Sequence, residues 1–283
     1  MRKVFLFHSH NKMYTTTIKF NIPKILEYIL NDLQELGARP ILVGGCVRDY
    51  FLNIPVKDYD VEIFGIDCFD TIENSLKKFG SVKLVGKSFG VLTLRVDNYD
   101  FDFALPRREK KVGNSHQDFE IITNANLSFK EAAMRRDFTI NAIGYDFINK
   151  EFLDPFDGLS DLKARVIKHI DDNTFIEDSL RVYRAVGFAS RFNFKLEEKT
   201  KELCKQIVLE DELKYLPKER VFEEFKKLFL KSIKPSIGFE LIYELGILKY
   251  FPELKALIGC IQDKEYHPEG DVWIHTMMCL DEL

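Results

Sequence analysis

Apolar positions change period repeatedly along the first half of the chain, and each change marks an element. Residues 21–37, NIPKILEYILNDLQELG, place Ile25, Ile29 and Leu33 on one face, which predicts an amphipathic helix with Asn21 as N-cap, Pro23 in the first turn and Gly37 as its stop. PILVGG then reads as a short apolar strand and CVRDYFLN as a short helix. In DYDVEIFG the period drops to two, so Asp58, Asp60 and Glu62 fall on one face and Tyr59, Val61 and Ile63 on the other. A helix over 69–79 follows, and then FGVLTLRV and YDFDFALPR read as paired strands joined at Asp97 and Asn98. The stretch RREKKVGNSHQD, residues 107–118, loses all periodicity and predicts a mobile loop.

From about residue 174 strand signals fade. EDSLRVYRAVGFASRF, EEKTKELCKQIV, KERVFEEFKKLFLK and KPSIGFELIYELGIL carry helical spacing instead. The expectation is an α+β protein, with a mixed sheet and its helices followed by all-helical domains. The boundary near 155–175 is a change of structural class rather than a low-complexity linker.

Composition adds limits. The 283 residues are enough for more than one core. With 46% hydrophobic and 30% charged residues, the chain has no apolar run near the roughly 20 residues of a membrane span, so no membrane role is expected. The start, MRKVFLFHSHNKMY, has its apolar run broken by His8, His10 and Lys12, which reads as an N-terminal arm rather than a signal peptide. Cys46, Cys68, Cys204, Cys260 and Cys279 are scattered without a C-x-x-C pair, so a reduced, cytoplasmic protein follows. A net charge of −4 means that a nucleic-acid partner must be met by a local basic surface.

The candidate chemistry begins with GGCVRD at 44–49. Gly44 and Gly45 stand between a strand and a helix, where the backbone can approach a ligand and the following amides favour phosphate oxygens. Close behind comes the D-x-D of KDYD, whose alternate carboxylates project to one side, near enough to share divalent ions. A carboxylate row beside a glycine cradle suggests two-metal phosphoryl or nucleotidyl transfer on Asp58 and Asp60. Asp102, on a strand that could pair with DYDVEIF, is the candidate third ligand, with Glu62 as its rival.

The run LVGGCVRDYFLNIPVKDYDVEIFG resembles the signature of the class II tRNA nucleotidyltransferases and bacterial poly(A) polymerases, in the polymerase-β-like nucleotidyltransferase superfamily. RRDFTINAIGYD, DPFDGLSDLKARVIKHI, EDSLRVYRAVGFASRF and KERVFEEFKKLF follow in the order expected of that family, so the similarity runs from about residue 22 onward. It implies a nucleotidyltransferase head at 21–155 behind an arm at 1–20, a base-reading neck at 156–215 and body helices at 216–260.

The resemblance also implies roles. Two Mg²⁺ ions would sit on Asp58 and Asp60, with Arg48 and Lys57 steadying phosphates or metal ligands. Arg135, Arg136 and Arg184 would meet phosphates, and Asp137 and Asn141 the ribose. Asp178 and Arg181, three apart on one helix, would read the Watson–Crick edges of CTP and ATP, oriented by Glu177. Asp154, Asp157 and Gly158 would form a hinge, and the loop bearing Arg107, Arg108 and Glu109 would help switch specificity from C to A. KERVFEEF is expected to pack and cap the reader helix.

The end, YHPEGDVWIHTMM, resembles the beginning of an HD phosphohydrolase domain over 261–283. The downstream His-Asp pair is missing, so no hydrolase centre is expected from these residues, and the chain reads as one that stops short. The expected activity is template-independent addition of C and A nucleotides to the 3′ end of tRNA, with no obligate protein partner. An A-adding enzyme, a CC-adding enzyme, a poly(A) polymerase and a noncatalytic RNA- or nucleotide-binding module remain the alternatives.

Overall fold

A computed structural model describes residues 20–85, 90–111 and 119–282, with the side chains of 109–111 and 119–120 left aside. The N-terminal arm before residue 20 and the centre of the expected loop, 112–118, lie outside the described residues. Two compact units emerge. One comprises residues 1–109, 121–133 and 141–156; the other, 110–120, 134–140 and 157–283.

The first unit is built on a seven-stranded sheet. Its chain order is α1 (Lys24–Glu35), β1 (Arg39–Val43), α2 (Gly45–Phe51), β2 (Asp58–Phe64), α3 (Phe69–Leu76), β3 (Val82–Val85), β4 (Val91–Val96) and β5 (Tyr99–Ala104). After β6 (Arg107–Lys111), β7 (Phe119–Thr123) and α4 (Phe129–Ala133), it closes with β8 (Gly144–Asp146) and β9 (Glu151–Leu153). The sheet order is β3-β4-β5-β2-β1-β8-β9. Most neighbours are antiparallel, but β2 and β5 run parallel.

Helix α1 buries Leu26, Ile29, Leu30 and Leu33, so Ile29 and Leu33 of the predicted face are in the core while Ile25 is half-buried. Its N-cap is Pro23 and not Asn21; no side chain caps it, and Gly37, at φ 92°, lies just past its end. An aromatic cluster braces α2: Phe20 meets Tyr50 at 4.7 Å, and Phe51 meets Phe152 of β9 at 4.7 Å. Gly144 is required by packing, because a Cβ there would stand 2.5 Å from the Phe129 ring.

The loop expectation needs correction over 107–111. Arg107, Arg108 and Glu109 lie on β6, which forms a two-stranded sheet with β7. FEIIT of β7 is rich in strand-forming residues, so the partner supplies the ladder that the charged RREKK shows no sign of in its own pattern.

The second unit is mainly helical. It contains α5 (Gly158–Ala164), β10 (Val166–Ile167), α6 (Asp172–Glu177), α7 (Leu180–Phe192), β11 (Lys195–Leu196) and α8 (Glu198–Leu209). Then come α9 (Lys218–Lys231), α10 (Pro235–Glu244), α11 (Pro252–Lys255) and α12 (Val272–Asp281). Helix α7 is the centre of the packing, with α9 and α10 against it. Tyr183 meets Phe225 at 5.8 Å, and Phe225 meets Phe251 at 5.0 Å. Among the described residues no helix is long and apolar enough to cross a membrane, and none of the cysteines forms a disulfide.

Candidate functional site

Sheet register places the carboxylates. In the parallel pair β2–β5, Asp58 stands opposite Asp100 and Asp60 opposite Asp102, so the period of two on both strands turns all four to one face. Asp58 and Asp60 are exposed, while Glu62, further along the row, is buried at 2% exposure. The Thr93 hydroxyl of β4 donates to Asp102 at 2.5 Å and fixes its orientation. A cavity of about 620 Å³ is lined by Asp58, Asp100, Asp102, Thr93, Lys83 and Arg95, together with Ser81. Three carboxylates, those of Asp58, Asp100 and Asp102, border this space, and such hard oxygen donors suit magnesium rather than a softer ion. Arg95 pairs with Asp100 at 3.5 Å, so the cavity carries both signs of charge.

The glycine turn lies at the end of β1, next to β2. Gly44, at φ 70° and ψ −131°, adopts a conformation that side chains disfavour and begins α2. Arg48, on that helix, is buried at 4% exposure. Its Nε and Nη2 meet one Asp49 oxygen at 2.8 and 2.7 Å, and its Nη1 donates to the Asn141 side chain at 2.5 Å. Arg48 is therefore a clamp between Asp49 and Asn141. Lys57 is exposed, and its carbonyl accepts from the Asp100 N–H at 3.3 Å just before β2 begins.

Within the RRDFTINA segment the two expected sugar ligands have separate surroundings. Asn141 belongs to the unit of the sheet, whereas Asp137 belongs to the helical unit. Asp137 is buried at 7% exposure and receives both Nε and Nη2 of Arg184 at 2.6 Å. The Asp137 carboxylate beside it raises the Arg184 pKa above its ordinary value. Arg184 also lies over the Phe188 ring at 5.2 Å. Arg135 and Arg136 are half-buried, and the Arg135 carbonyl accepts from Arg181 Nη2 at 2.8 Å.

The geometry expected of Asp178 and Arg181 is corrected here. They do not share a helix: Glu177 ends α6, Asp178 is extended at φ −122° and ψ 97°, and α7 starts at Leu180. The reason is local. Asp178 accepts from the Leu180 N–H at 3.1 Å, a side-chain turn that competes with the helical backbone and starts α7 afresh. Arg181 donates to the Thr174 carbonyl at 2.7 Å, while Asp178 is 3.4 Å from Arg220 of α9. KERVFEEF thus does more than pack, since it brings Arg220 to the expected base reader.

Asp154 lies in the first unit, and the division falls between Phe156 and Asp157. Asp157 is left-handed at φ 57° and caps α5, whose first residue is Gly158. On β6, Arg108 pairs with Glu131, and Arg107 is half-buried. Sequence reasoning missed Thr93, Asp49 and Arg220. Thr93 has a visible signal, since it sits at the alternate position of VLTL that faces Asp102; Asp49 is next to Arg48 within GGCVRD, whereas Arg220 meets Asp178 across 42 positions that no spacing reveals.

Comparisons with known proteins identify the family. Residues 41–168 match the family described as the poly A polymerase head domain, and residues 193–258 match the probable RNA and SrmB-binding site of polymerase A. The chain is 38% identical over 245 residues to the multifunctional CCA protein of Pseudoalteromonas atlantica, which covers 85% of this chain and 58% of that protein. A tRNA nucleotidyltransferase complexed with a primer tRNA and an incoming ATP analog is 30% identical with a TM-score of 0.64, covering 84% of this chain and 64% of that one. A CCA-adding enzyme in complex with ATP is 30% identical with a TM-score of 0.66, covering 81% and 53%. The chain spans between 55% and 58% of the length of such curated relatives.

Proposed function

This chain belongs to the family of poly A polymerase heads and CCA-adding tRNA nucleotidyltransferases, and on that premise we propose that it adds C and A nucleotides from CTP and ATP to the 3′ end of tRNA without a template. The observation that carries this reading is the register of β2 and β5, which turns Asp58, Asp60 and Asp102 to one face. Relatives solved with a primer tRNA, with CTP and with ATP support the substrates.

Asp58 and Asp60 would hold two magnesium ions, with Asp102 as third ligand. When bound, the ions would supply charge neutralisation for the primer hydroxyl and the leaving pyrophosphate. The chain's own residues do the rest. The Gly44–Gly45 turn leaves room for a triphosphate against the backbone, and the Asp49–Arg48–Asn141 clamp holds Asn141 for the ribose. Lys57, Arg135 and Arg136 supply positive charge for the phosphates. Arg184 acts through Asp137, holding that carboxylate aimed at a sugar hydroxyl.

Asp178 accepts from the exocyclic amino group of cytosine or adenine, and Arg181 donates to a ring acceptor, so uracil and guanine present the wrong pattern. Arg220 and Glu177 position this pair. Asp154, Asp157 and Gly158 form the hinge between head and neck, and β6 with Arg107, Arg108 and Glu109 begins the segment that changes specificity from C to A. The work is placed in the cytoplasm, where thiols stay reduced.

The test is incorporation into tRNA lacking its terminal CCA, with CTP alone, ATP alone and both, read as product length on a gel. Two C and one A are expected. CTP-only or ATP-only extension would assign a CC- or A-adding enzyme, a long A tract a poly(A) polymerase, and nucleotide binding without incorporation a binding module.

A further inference from the structure

Beyond the carboxylates, the same face of the sheet carries two cations that the proposed reaction has not used. Two lines of register partners lead to them. Asp60 of β2 stands opposite Asp102 of β5, Asp102 opposite Thr93 of β4, and Thr93 opposite Lys83 of β3. One step along the strands, Asp58 stands opposite Asp100, and Asp100 opposite Arg95. Partners in register share a face, so each line begins in carboxylates and ends in a cation. Lys83 and Arg95, with Ser81 just before β3, form the side of the 620 Å³ cavity that faces Asp58, Asp100 and Asp102.

The fold does not depend on either cation. Lys83 is exposed and makes no ion pair among the described residues. The Arg95 side chain is 75% exposed, and its Nε stands 3.5 Å from Asp100 Oδ1, beyond the roughly 2.7–2.9 Å of a charge-assisted hydrogen bond. An exposed pair of that length contributes little to stability.

In-line chemistry gives the two cations a use. Val43 of β1 pairs with Asp60, so the Gly44–Gly45 turn lies on the side of β2 away from β5. With the triphosphate against that turn, the leaving pyrophosphate points toward β1. Attacking and leaving oxygens lie on opposite sides of the reacting phosphorus. The primer hydroxyl therefore enters from the side of β5, and the strand behind it runs over β4 and β3. Its first backbone charge is the phosphate on the 5′ side of the terminal nucleotide. That phosphate arrives beside three carboxylates that repel it.

We propose that Lys83 and Arg95 hold the phosphodiester joining the last two nucleotides of the RNA primer, with the Ser81 hydroxyl donating to it and Asp100 keeping Arg95 over the cavity until the primer arrives. This subsite rests on the reading of the chain as an enzyme that extends RNA. It recognises charge and not base, so it serves each successive primer end alike.

The experiment uses the full chain and two minihelix RNAs ending in CC, identical except that the last internucleotide linkage of one is an uncharged methylphosphonate. Binding is read by fluorescence anisotropy over a range of salt, with A addition followed in parallel. In the wild type the neutral linkage should weaken binding about tenfold and lower the slope of log affinity against log salt by about 0.7, the value for one phosphate of a single strand. The Lys83→Ala/Arg95→Ala variant should bind the charged RNA about as weakly as the wild type binds the neutral one, and should no longer tell the two apart. KM for ATP should not change. Circular dichroism checks the fold, and the single variants Lys83→Gln and Arg95→Gln carry the comparison if the double variant unfolds. A double variant that still distinguishes the two RNAs overturns the subsite. So does a raised KM for ATP with weaker pyrophosphate inhibition and intact RNA binding, which would assign the cations to the triphosphate. Incorporation without the linkage effect sinks the subsite alone, whereas the linkage effect without incorporation keeps the subsite and sinks the proposed activity.

Discussion

The carboxylates of the sheet and the polar groups of the helical unit are held by different physics. On β2 and β5 the backbone ladder does the positioning: Asp58 and Asp60 are exposed, Thr93 donates to Asp102 and Arg95 pairs with Asp100. In the helical unit the backbone leaves much more to side chains: Asp137 is buried against Arg184, 47 positions away, and Arg181 is anchored by two carbonyls. Exposed carboxylates on a ladder can be changed with little harm to the fold, because water solvates what remains. A buried ion pair cannot, since removing one partner strands the other.

The largest test of that contrast is Asp60→Ala. Incorporation should fall by about 10³-fold or more, the equivalent of roughly 4 kcal/mol of lost transition-state stabilisation, while the thermal midpoint stays within the range of ordinary surface substitutions. A drop in stability of the same order as for a core change would mean that the row is structural. Arg184→Ala should do the reverse in kind, destabilising the chain by about 2 kcal/mol after allowance for its partial exposure, with Asp137→Asn in the same chain recovering part of the loss. Denaturant midpoints of the two single variants and the double variant decide it. If the effects simply add, the pair is not coupled.

Thr93→Val is a milder probe. It should lower kcat about tenfold with KM for CTP little changed, and cost about 1 kcal/mol of stability; an unchanged kcat would remove Asp102 from the metal set. Acid should produce the smallest difference. Lys78 and then Ser75 lower the pKa of Asp32 in the first unit, and Lys214, Tyr250 and Lys249 lower that of Asp211 in the second. Carboxyl groups depressed in the folded state stabilise it above their unfolded value near 3.8 and lose that contribution as pH falls through the folded value. Asp32→Asn and Asp211→Asn should therefore each lower thermal stability near neutrality, where the charged carboxyl contributes, and flatten its acid limb below about pH 4, where that contribution is already lost.

The comparison also explains what was legible beforehand. Helix α1, strands β1, β2, β4 and β5, and the row Asp58, Asp60 and Asp102 follow from periodicity, because alternation and the helical stripe are local properties of the chain. Strands β3, β6, β8 and β9 were not legible. RREKK is charged throughout, GYD and EFL are too short to show a period, and all of them exist because a neighbouring strand offers a ladder.

Asp178 and Arg181 show the limit most clearly. Their spacing of three suits one helix, yet the Asp178 side chain captures the Leu180 N–H and breaks it. By itself the sequence determined the residue types, the family, the order of elements and the face on which Asp58, Asp60 and Asp102 stand, since each depends on neighbours a few positions apart. The tertiary structure alone decided that Arg48 clamps Asn141, that Arg184 serves Asp137 and that Thr93 aims Asp102. These contacts depend on how turns and elements fold back on one another, and side-chain direction at a distance is fixed by packing that no local spacing encodes.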